Sequence, residues 1–367
     1  MLNTAIEILK EIENKGFKAY IVGGYPRDIY LNRQSVDIDI CTSATPKQLK
    51  KIFENIVLPL EQYGAVVIKK NKFNFEITTF RKDLEYQDNR KPLKVVYVDN
   101  IEDDLKRRDF TINALCINSS GETLDLIGAI NDLNSQKVKA IGNPRTKLKE
   151  DSLRILRAIR FATILDFKLD DELKKYIKKY GYLLKKLSIY RRKEELNKIF
   201  SSPNCLYGLK LIKQLKLDKY LSLSNVEKVK ETHIVIGIWA QLDVLETYEF
   251  SRSEKNIIKK INELMTKDVL ADENLYYYGL YISSIVGDIL NIDRKIITKK
   301  YNSLYIKCEH DIALKSAEIC TLLNRRPGPF LKPLKKDLEI KLINKEIVNN
   351  RVQLEQYIIK TMKDPYN

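Results

Sequence analysis

The chain has only two histidines, His233 and His310, among 367 residues. Chemistry that needs a histidine cluster is therefore excluded, including His-rich metal phosphohydrolase domains. Cysteine is sparse too. Cys41, Cys116, Cys205, Cys308 and Cys320 are scattered, odd in number and show no Cys-x-x-Cys spacing. That pattern excludes a disulfide framework or zinc site and fits a reducing compartment. Long apolar runs are missing as well. The most apolar stretches are 234–240, too short for the roughly 20 residues of a membrane span, and 276–290, interrupted by Asp288. The opening MLNTAIEILKEIENKGF lacks the basic start and apolar run of a secretory signal. The expectation is a soluble, cytoplasmic chain without a membrane partner.

What is present is charge and enough apolar material for real cores. Lys and Arg number 65 against 49 Asp and Glu, giving +16. The chain is also rich in Lys, Ile, Asn and Tyr, so part of this excess is compositional. Charge alone is a modest argument for a polyanionic partner. Hydrophobic residues make up 44%, which excludes wholesale disorder. The length suggests two or three domains. There is no internal repeat and no low-complexity tract.

Residues 1–16 read as an amphipathic helix, with Ala5, Ile8, Leu9 and Ile12 at helical spacing and Gly16 at its end. Ala19–Val22 reads as a strand running into Gly23-Gly24, and Arg27–Leu31 as helix. Val36–Ile40 alternates as a strand, and Ala65–Lys69, Asn74–Phe80 and Val95–Val98 read as strands too. From Glu102 the pattern is helical through Cys116, and Glu122–Leu126 with Val138–Ile141 suggests a closing strand pair. Gly142–Lys147 reads as a hinge. After Glu150 nearly everything has a helical period. The expected organisation is an α+β head followed by an all-α remainder.

The strongest signal is Tyr20-Ile21-Val22-Gly23-Gly24-Tyr25-Pro26-Arg27-Asp28, followed by Val36-Asp37-Ile38-Asp39-Ile40. A strand entering two glycines and then a helix lets backbone N–H groups approach a phosphate. Asp37 and Asp39 are two apart on a predicted strand and so share a face. Together they can hold one or two divalent ions beside that phosphate. Alone, a Gly-Gly pair is an ordinary turn and an Asp-x-Asp a solvated strand edge. In this order and spacing they make equipment for two-metal phosphoryl or nucleotidyl transfer.

With these residues the chain resembles the class II CCA-adding enzymes and the related bacterial poly(A) polymerases, which are polymerase-β-like nucleotidyltransferases. The resemblance is nearly continuous over residues 19–165. Thr78–Arg81 and then Tyr86–Pro92 look like the family's strand and flexible loop. Asp104-Leu105-Lys106-Arg107-Arg108-Asp109-Phe110-Thr111-Ile112-Asn113-Ala114 is similar to its Arg-Arg-Asp motif, Asp125 through Pro144 to its link into the neck, and Glu150–Phe161 to its nucleotide-selecting helix.

The resemblance implies a polymerase-β-like α+β head followed by an all-α neck, body and tail. The expected boundaries are 1–142 for the catalytic head, 143–205 for the neck, 206–300 for the body and 301–367 for a tRNA-binding tail. It implies Asp151 and Arg154 as the pair that selects the base. Read physically, they are three apart, one turn of a predicted helix, and offer an acceptor beside a fork of donors. Cytosine and adenine each present an amino donor beside a ring acceptor, which matches. Uracil and guanine reverse that order and would leave buried polar groups unpaired. Glu150 is placed to brace Arg154.

Arg27 and Arg108 are implied as triphosphate clamps, a task that suits the planar guanidinium. Asp109 and Asn113, four apart, are candidates for reading the ribose hydroxyls. Arg107 is expected to point elsewhere. For Arg157 and Arg160 the resemblance implies nucleotide contact, while physics alone also allows a core bridge or an RNA phosphate contact. Glu76 has the chemistry of a third carboxylate. Oxygen-only ligands point to magnesium.

The helical remainder carries Lys174-Lys175, Lys178-Lys179, Lys185-Lys186, Arg191-Arg192-Lys193 and Lys299-Lys300, with tyrosines interleaved. Such runs either track an RNA backbone or form a solvated lysine face. Arg191–Phe200 resembles the family's last neck motif with an altered opening, so only a structural role carries over. Arg326–Leu331 and Ile347–Asn350 resemble the tail of Gram-positive CCA-adding enzymes.

The implied activity is addition of C, C and A to a tRNA 3′ end from CTP and ATP, with no DNA or protein partner evident. Poly(A) addition, A-only addition and a non-catalytic RNA-binding descendant are the alternatives. Retention of Asp83, Tyr86, Asp88, Arg90 and Pro92 between Phe80 and Arg108 speaks against a CC-only enzyme.

Overall fold

The structure is a computed structural model that describes residues 1–35, 37–54, 56–60, 64–87 and 91–363. Val36, Asp88 and Arg90 lie outside these. The chain divides into two compact units, Met1–Glu227 and Lys228–Asn367.

The first unit opens with α1 (Leu2–Glu13), whose buried Ala5, Ile8, Leu9 and Ile12 form the predicted stripe. A positive-φ Gly16 turns the chain into β1 (Ala19–Val22). Then follow α2 (Gly24–Tyr30), β2 (Asp39–Thr42), α3 (Pro46–Ile52), β3 (Ile56–Leu60), β4 (Ala65–Lys70) and β5 (Phe73–Thr79). β6 (Arg81–Gln87) and β7 (Lys91–Tyr97) form a separate antiparallel ribbon where the sequence suggests a loop and one short strand. α4 (Ile101–Arg107), β8 (Cys116–Ile117), β9 (Thr123–Leu124), α5 (Ala129–Asn134) and β10 (Lys137–Val138) complete the mixed region.

The main sheet runs β3-β4-β5-β2-β1-β8-β9. Among the described residues only the β2–β5 pair of this sheet is parallel, and it sets Asp39 opposite Glu76. On β1 and β2, alternate residues pack to opposite sides. Ile21 and Ile40 join α1 and α3 in one core, while Val22 and Cys41 join Leu105 and Phe80 in another. The functional end of the sheet is where β1 stops and β2 starts, with Val22 paired to Asp39.

Three predicted elements come out differently. β2 begins at Asp39 rather than at Val36, so Asp37 precedes the strand. The stretch from Glu102 is not one helix. α4 ends at Arg107, Arg108 is extended, and a 3-10 turn covers Thr111–Asn113. The two predicted closing strands do not pair with each other: β9 pairs β8, and β10 pairs β11 (Lys168–Leu169).

The Gly142–Lys147 hinge is instead the start of α6 (Pro144–Glu150). Asn143 caps that helix by accepting from the Arg145 and Thr146 N–H groups, and Pro144 occupies its first turn. α7 (Leu153–Leu165) follows after a break at Asp151, which has extended dihedrals. Asp151 and Arg154 therefore do not share a continuous helix. α8 (Asp171–Tyr180), α9 (Ile189–Phe200), α10 (Cys205–Gln214) and α11 (Asp218–Leu221) finish the unit. Gly208 lies where an added Cβ would meet Thr163 Oγ1 at 2.5 Å and Ile199 Cγ2 at 2.6 Å. Its lack of a side chain lets α10 pack closely on α7 and α9.

Among the described residues, the regular structure of the second unit is all helical: α12 (Val235–Ala240), α13 (Arg252–Leu264), α14 (Asp272–Leu290), α15 (Arg294–Asn302), α16 (Ser316–Leu322), α17 (Leu331–Ile343) and α18 (Arg351–Lys363). Trp239 packs against Tyr248 and Phe250. A second core gathers Ile312, Ile319, Leu338, Leu342, Leu354 and Ile358. Among the described residues no helix is long and apolar enough to cross a membrane.

Candidate active site

The end of β1 forces the geometry of the site. Gly23 has φ +88°, and a Cβ there would sit 3.2 Å from Asp39 Oδ2. The backbone therefore favours glycine, and a Cβ would also crowd the Asp39 carboxylate. The chain enters α2 directly, which sets Arg27 in the interior. Asp37 and Asp39 are exposed while Ile38 and Ile40 are 3% and 1% exposed. The alternation holds although Asp37 precedes the strand, so both carboxylates face away from the core.

These residues open onto a cleft of about 720 Å³ within the first unit. It brings together Gly23, Gly24, Arg27, Asp37, Asp39, Arg108, Asp109, Asn113, Asp151, Arg154, Arg157 and Arg160. Arg81, Asp83, Arg107, Phe161 and Lys198 line it as well. Among the described residues its lining has seven arginines and a lysine against five aspartates. Such an excess favours a polyphosphate ligand.

Asp39's carboxyl is pushed up from the usual range, first by desolvation, then by Glu76 and Asp37, with Arg108 opposing. Two carboxylates whose repulsion is incompletely offset suit a cation. Among the described residues no group of three or more His, Cys, Asp or Glu side chains is placed to hold a metal. An ion at Asp37 and Asp39 would need phosphate or water oxygens to fill its shell, which fits a hard divalent cation.

Asp104 anchors the cationic wall. Its carboxylate is fully buried and accepts from Arg107 Nε at 2.8 Å, Arg108 Nε at 3.2 Å and Arg108 Nη2 at 3.0 Å. It also accepts from the Arg81 N–H at 3.2 Å, tying the β6–β7 ribbon to α4. Burial alone would lower the Arg108 pKa, but Asp104 drives it upward. Arg107, expected from sequence to point elsewhere, shares this anchor and the cleft, because the helix ends at that residue.

Asp109 and Asn113 meet across the 3-10 turn rather than along a helix. Asn113 Nδ2 donates to Asp109 Oδ1 at 3.2 Å, and Arg27 Nη1 donates to Asn113 Oδ1 at 2.6 Å. Arg157 places Nε and Nη2 each 2.6 Å from Asp109 Oδ2. Burial would raise the Asp109 pKa, but Arg157, Asn113 and the Phe110 N–H lower it to about 2. The Phe161 ring is surrounded by Arg160, Arg27 and Arg157, whose guanidinium carbons lie 4.5, 5.3 and 5.5 Å from its centroid.

At the α6–α7 break, Asp151 Oδ1 accepts from the Leu153 N–H at 2.9 Å. Its Oδ2 has no donor among the described residues. Burial pushes its carboxyl up, and Arg154 opposes this. Arg154 Nη1 donates to Glu150 Oε2 at 2.8 Å and to the Lys147 carbonyl at 3.0 Å, and Nη2 donates to the Arg107 carbonyl at 2.8 Å. Glu150 thus braces Arg154, and the guanidinium is fixed to both walls of the cleft.

Sequence reasoning missed Asp104, Lys198 and Glu195. The spacing of Asp104 to Arg107 and Arg108 would have revealed the first. The other two lie in the Arg191–Phe200 motif, to which only a structural role was given, and periodicity does not show that α9 reaches the cleft by packing on α7.

Comparison with known proteins agrees with this architecture. Residues 19–139 match the poly A polymerase head domain, and residues 166–223 match the probable RNA and SrmB-binding site of polymerase A. The CCA-adding enzyme of Streptococcus uberis is 32% identical, over 98% of this chain and 97% of that protein. The CCA-adding enzyme of Limosilactobacillus reuteri is 33% identical, over 97% and 96%. A crystal structure of the Bacillus stearothermophilus CCA-adding enzyme in complex with CTP superposes with a TM-score of 0.87 at 24% identity, covering 98% of this chain and 97% of that one. The Thermotoga maritima CCA-adding enzyme complexed with tRNA has the same fold at a TM-score of 0.71 and 19% identity.

Proposed function

The chain belongs to the family of CCA-adding enzymes, and from that premise we propose that it joins C, C and A to the 3′ end of tRNA from CTP and ATP. The terminal 3′-OH attacks the nucleotide α-phosphate and pyrophosphate leaves, with no nucleic-acid template. The observation that carries the reading is one cleft lined both by the Asp37/Asp39 pair and by the Asp151/Arg154 pair. The first pair suits phosphoryl chemistry and the second suits reading a base edge.

Asp37 and Asp39 would hold the divalent ion, which we take to be magnesium. When bound it supplies Lewis acidity for the 3′-OH and charge neutralisation for the departing pyrophosphate. The Gly23-Gly24 turn lets the triphosphate approach the backbone, and Arg27 and Arg108 offer it their donors. Asn113 and Asp109 serve the ribose side, joined to Arg27 and Arg157 in one hydrogen-bonded chain. Asp151 Oδ2 accepts the exocyclic amino group of cytosine or adenine, and Arg154 donates to the adjacent ring nitrogen. Arg157 and Arg160 flank the bound nucleotide. Because these groups are braced before substrate arrives, little reorganisation is needed. We assign residues 1–142 to the catalytic head, 143–205 to the neck, 206–300 to the body and 301–367 to a tRNA-binding tail, and place the enzyme in the cytoplasm.

Replacing Asp37 or Asp39 with Ala should lower nucleotide incorporation by at least about a hundredfold, since it removes the seat of the ion. Binding of labelled tRNA, followed by fluorescence anisotropy, should change little. A variant that keeps near-normal turnover would sink the metal assignment.

A further inference from the structure

Lys198 is the one cleft-lining residue contributed by α9. It differs from the other cations of the cleft in exposure. The arginine side chains there are 8% to 33% exposed, Arg154 the least and Arg157 the most, whereas the Lys198 side chain is 54% exposed. The arginines make the floor and walls, and Lys198 stands at the mouth. Its ammonium has a loose tether, with Nζ 3.5 Å from Glu195 Oε1. Glu195 itself is 5% exposed and holds Arg160 Nη1 at 3.0 Å through the same oxygen. The second Glu195 oxygen, Oε2, is buried and has no hydrogen-bond partner among the described residues. Glu195 therefore commits first to Arg160, and Lys198 keeps a charge that an arriving anion can claim.

We propose that Lys198 contacts a backbone phosphate of the RNA strand whose 3′ end is being extended, and that Glu195 positions it at the mouth of the cleft. The inference rests on the proposed activity and adds a contact to that site. A mononucleotide can sink to the arginine floor, where Arg27 and Arg108 stand close to the carboxylates. The acceptor is a long polyanion and has to cross the rim, so the last phosphates before its reacting hydroxyl pass the mouth. A compact, hydrated ammonium on a flexible stem suits a non-specific phosphate contact there.

The test uses the full chain, with Lys198→Gln and Lys198→Arg beside the wild type. Steady-state kinetics with a tRNA ending in CC and with ATP separate the two KM values. Lys198→Gln should raise the KM for tRNA roughly threefold or more at low salt, leave the KM for ATP unchanged, and be restored by Lys198→Arg. The slope of log affinity for labelled tRNA against log salt should fall by about one contact. An unchanged tRNA KM and slope would overturn the inference, as would a rise confined to the KM for ATP, which would place Lys198 on the triphosphate. If the wild type adds no nucleotide, the proposed activity fails, and the salt slope of tRNA binding still decides the contact.

Discussion

Asp109 shows how one side chain can organise a site. Both its oxygens are engaged, one by Asn113 and the Phe110 N–H, the other by Arg157. Its folded-state pKa of about 2 lies below the ordinary value of 3.8. The ionised form is thus favoured by the fold. That stabilisation is complete above about pH 4 and disappears as pH falls through about 2. The shift corresponds to about 2 kcal/mol. Asp109→Asn should therefore lower unfolding stability by about that much at pH 7, and the gap to wild type should narrow between pH 4 and pH 2. Urea titrations across this range measure it, and a gap independent of pH would contradict the assigned ion pair. The glycines, and the carboxylates and arginines other than Arg81, Asp83 and Arg107, were legible residue by residue because each belongs to a short motif. Asp104 was not singled out, since its importance comes from burial beneath two arginines that sequence alone cannot locate.

Helix boundaries were the least legible feature, and two of them shape the cleft. The apolar period runs unbroken from Glu102 and again from Glu150. The chain nevertheless interrupts helix at Arg108 and at Asp151, where side chains must turn inward. At Asp151 the break gives the carboxylate a backbone donor, Leu153 N–H, and turns it beside the braced Arg154. Periodicity could not reveal this, because a short extended step between two helices hardly disturbs the apolar stripe. In the proposed role, an acceptor held at the α6–α7 break beside a braced donor fork on α7 would make base choice rigid. Asp151→Ala and Arg154→Ala should each raise incorporation of UTP and GTP relative to CTP and ATP. Losing discrimination worth about 1–3 kcal/mol corresponds to roughly 5- to 150-fold in relative kcat/KM. Unchanged selectivity in both variants would refute the base-reading role. The Gly23 turn, by contrast, was readable from a strand ending in two glycines, and the positive φ of Gly23 explains the preference.

For the whole molecule, the division between a mixed α+β region and a helical remainder was plain in the sequence. The change from period two to helical period falls near Glu150. The β6–β7 ribbon, β3 and α5 were not foreseen: the ribbon is carried largely by polar residues, α5 is short, and β3 contains Pro59, which argues against a strand. The second unit offered no chemistry-bearing motif, only the Lys299-Lys300 pair and a tail resemblance, because the other basic runs all fall in the first unit. The proposed activity is addition of C, C and A followed by a stop. Product length at single-nucleotide resolution tests it most directly. The assay supplies purified protein, magnesium, CTP, ATP and tRNA transcripts ending before C, after C and after CC. The account predicts addition of C, C and A, of C and A, and of A respectively, each followed by a stop. A long adenylate ladder, extension of the CC-ended transcript alone, or no extension at all would contradict it.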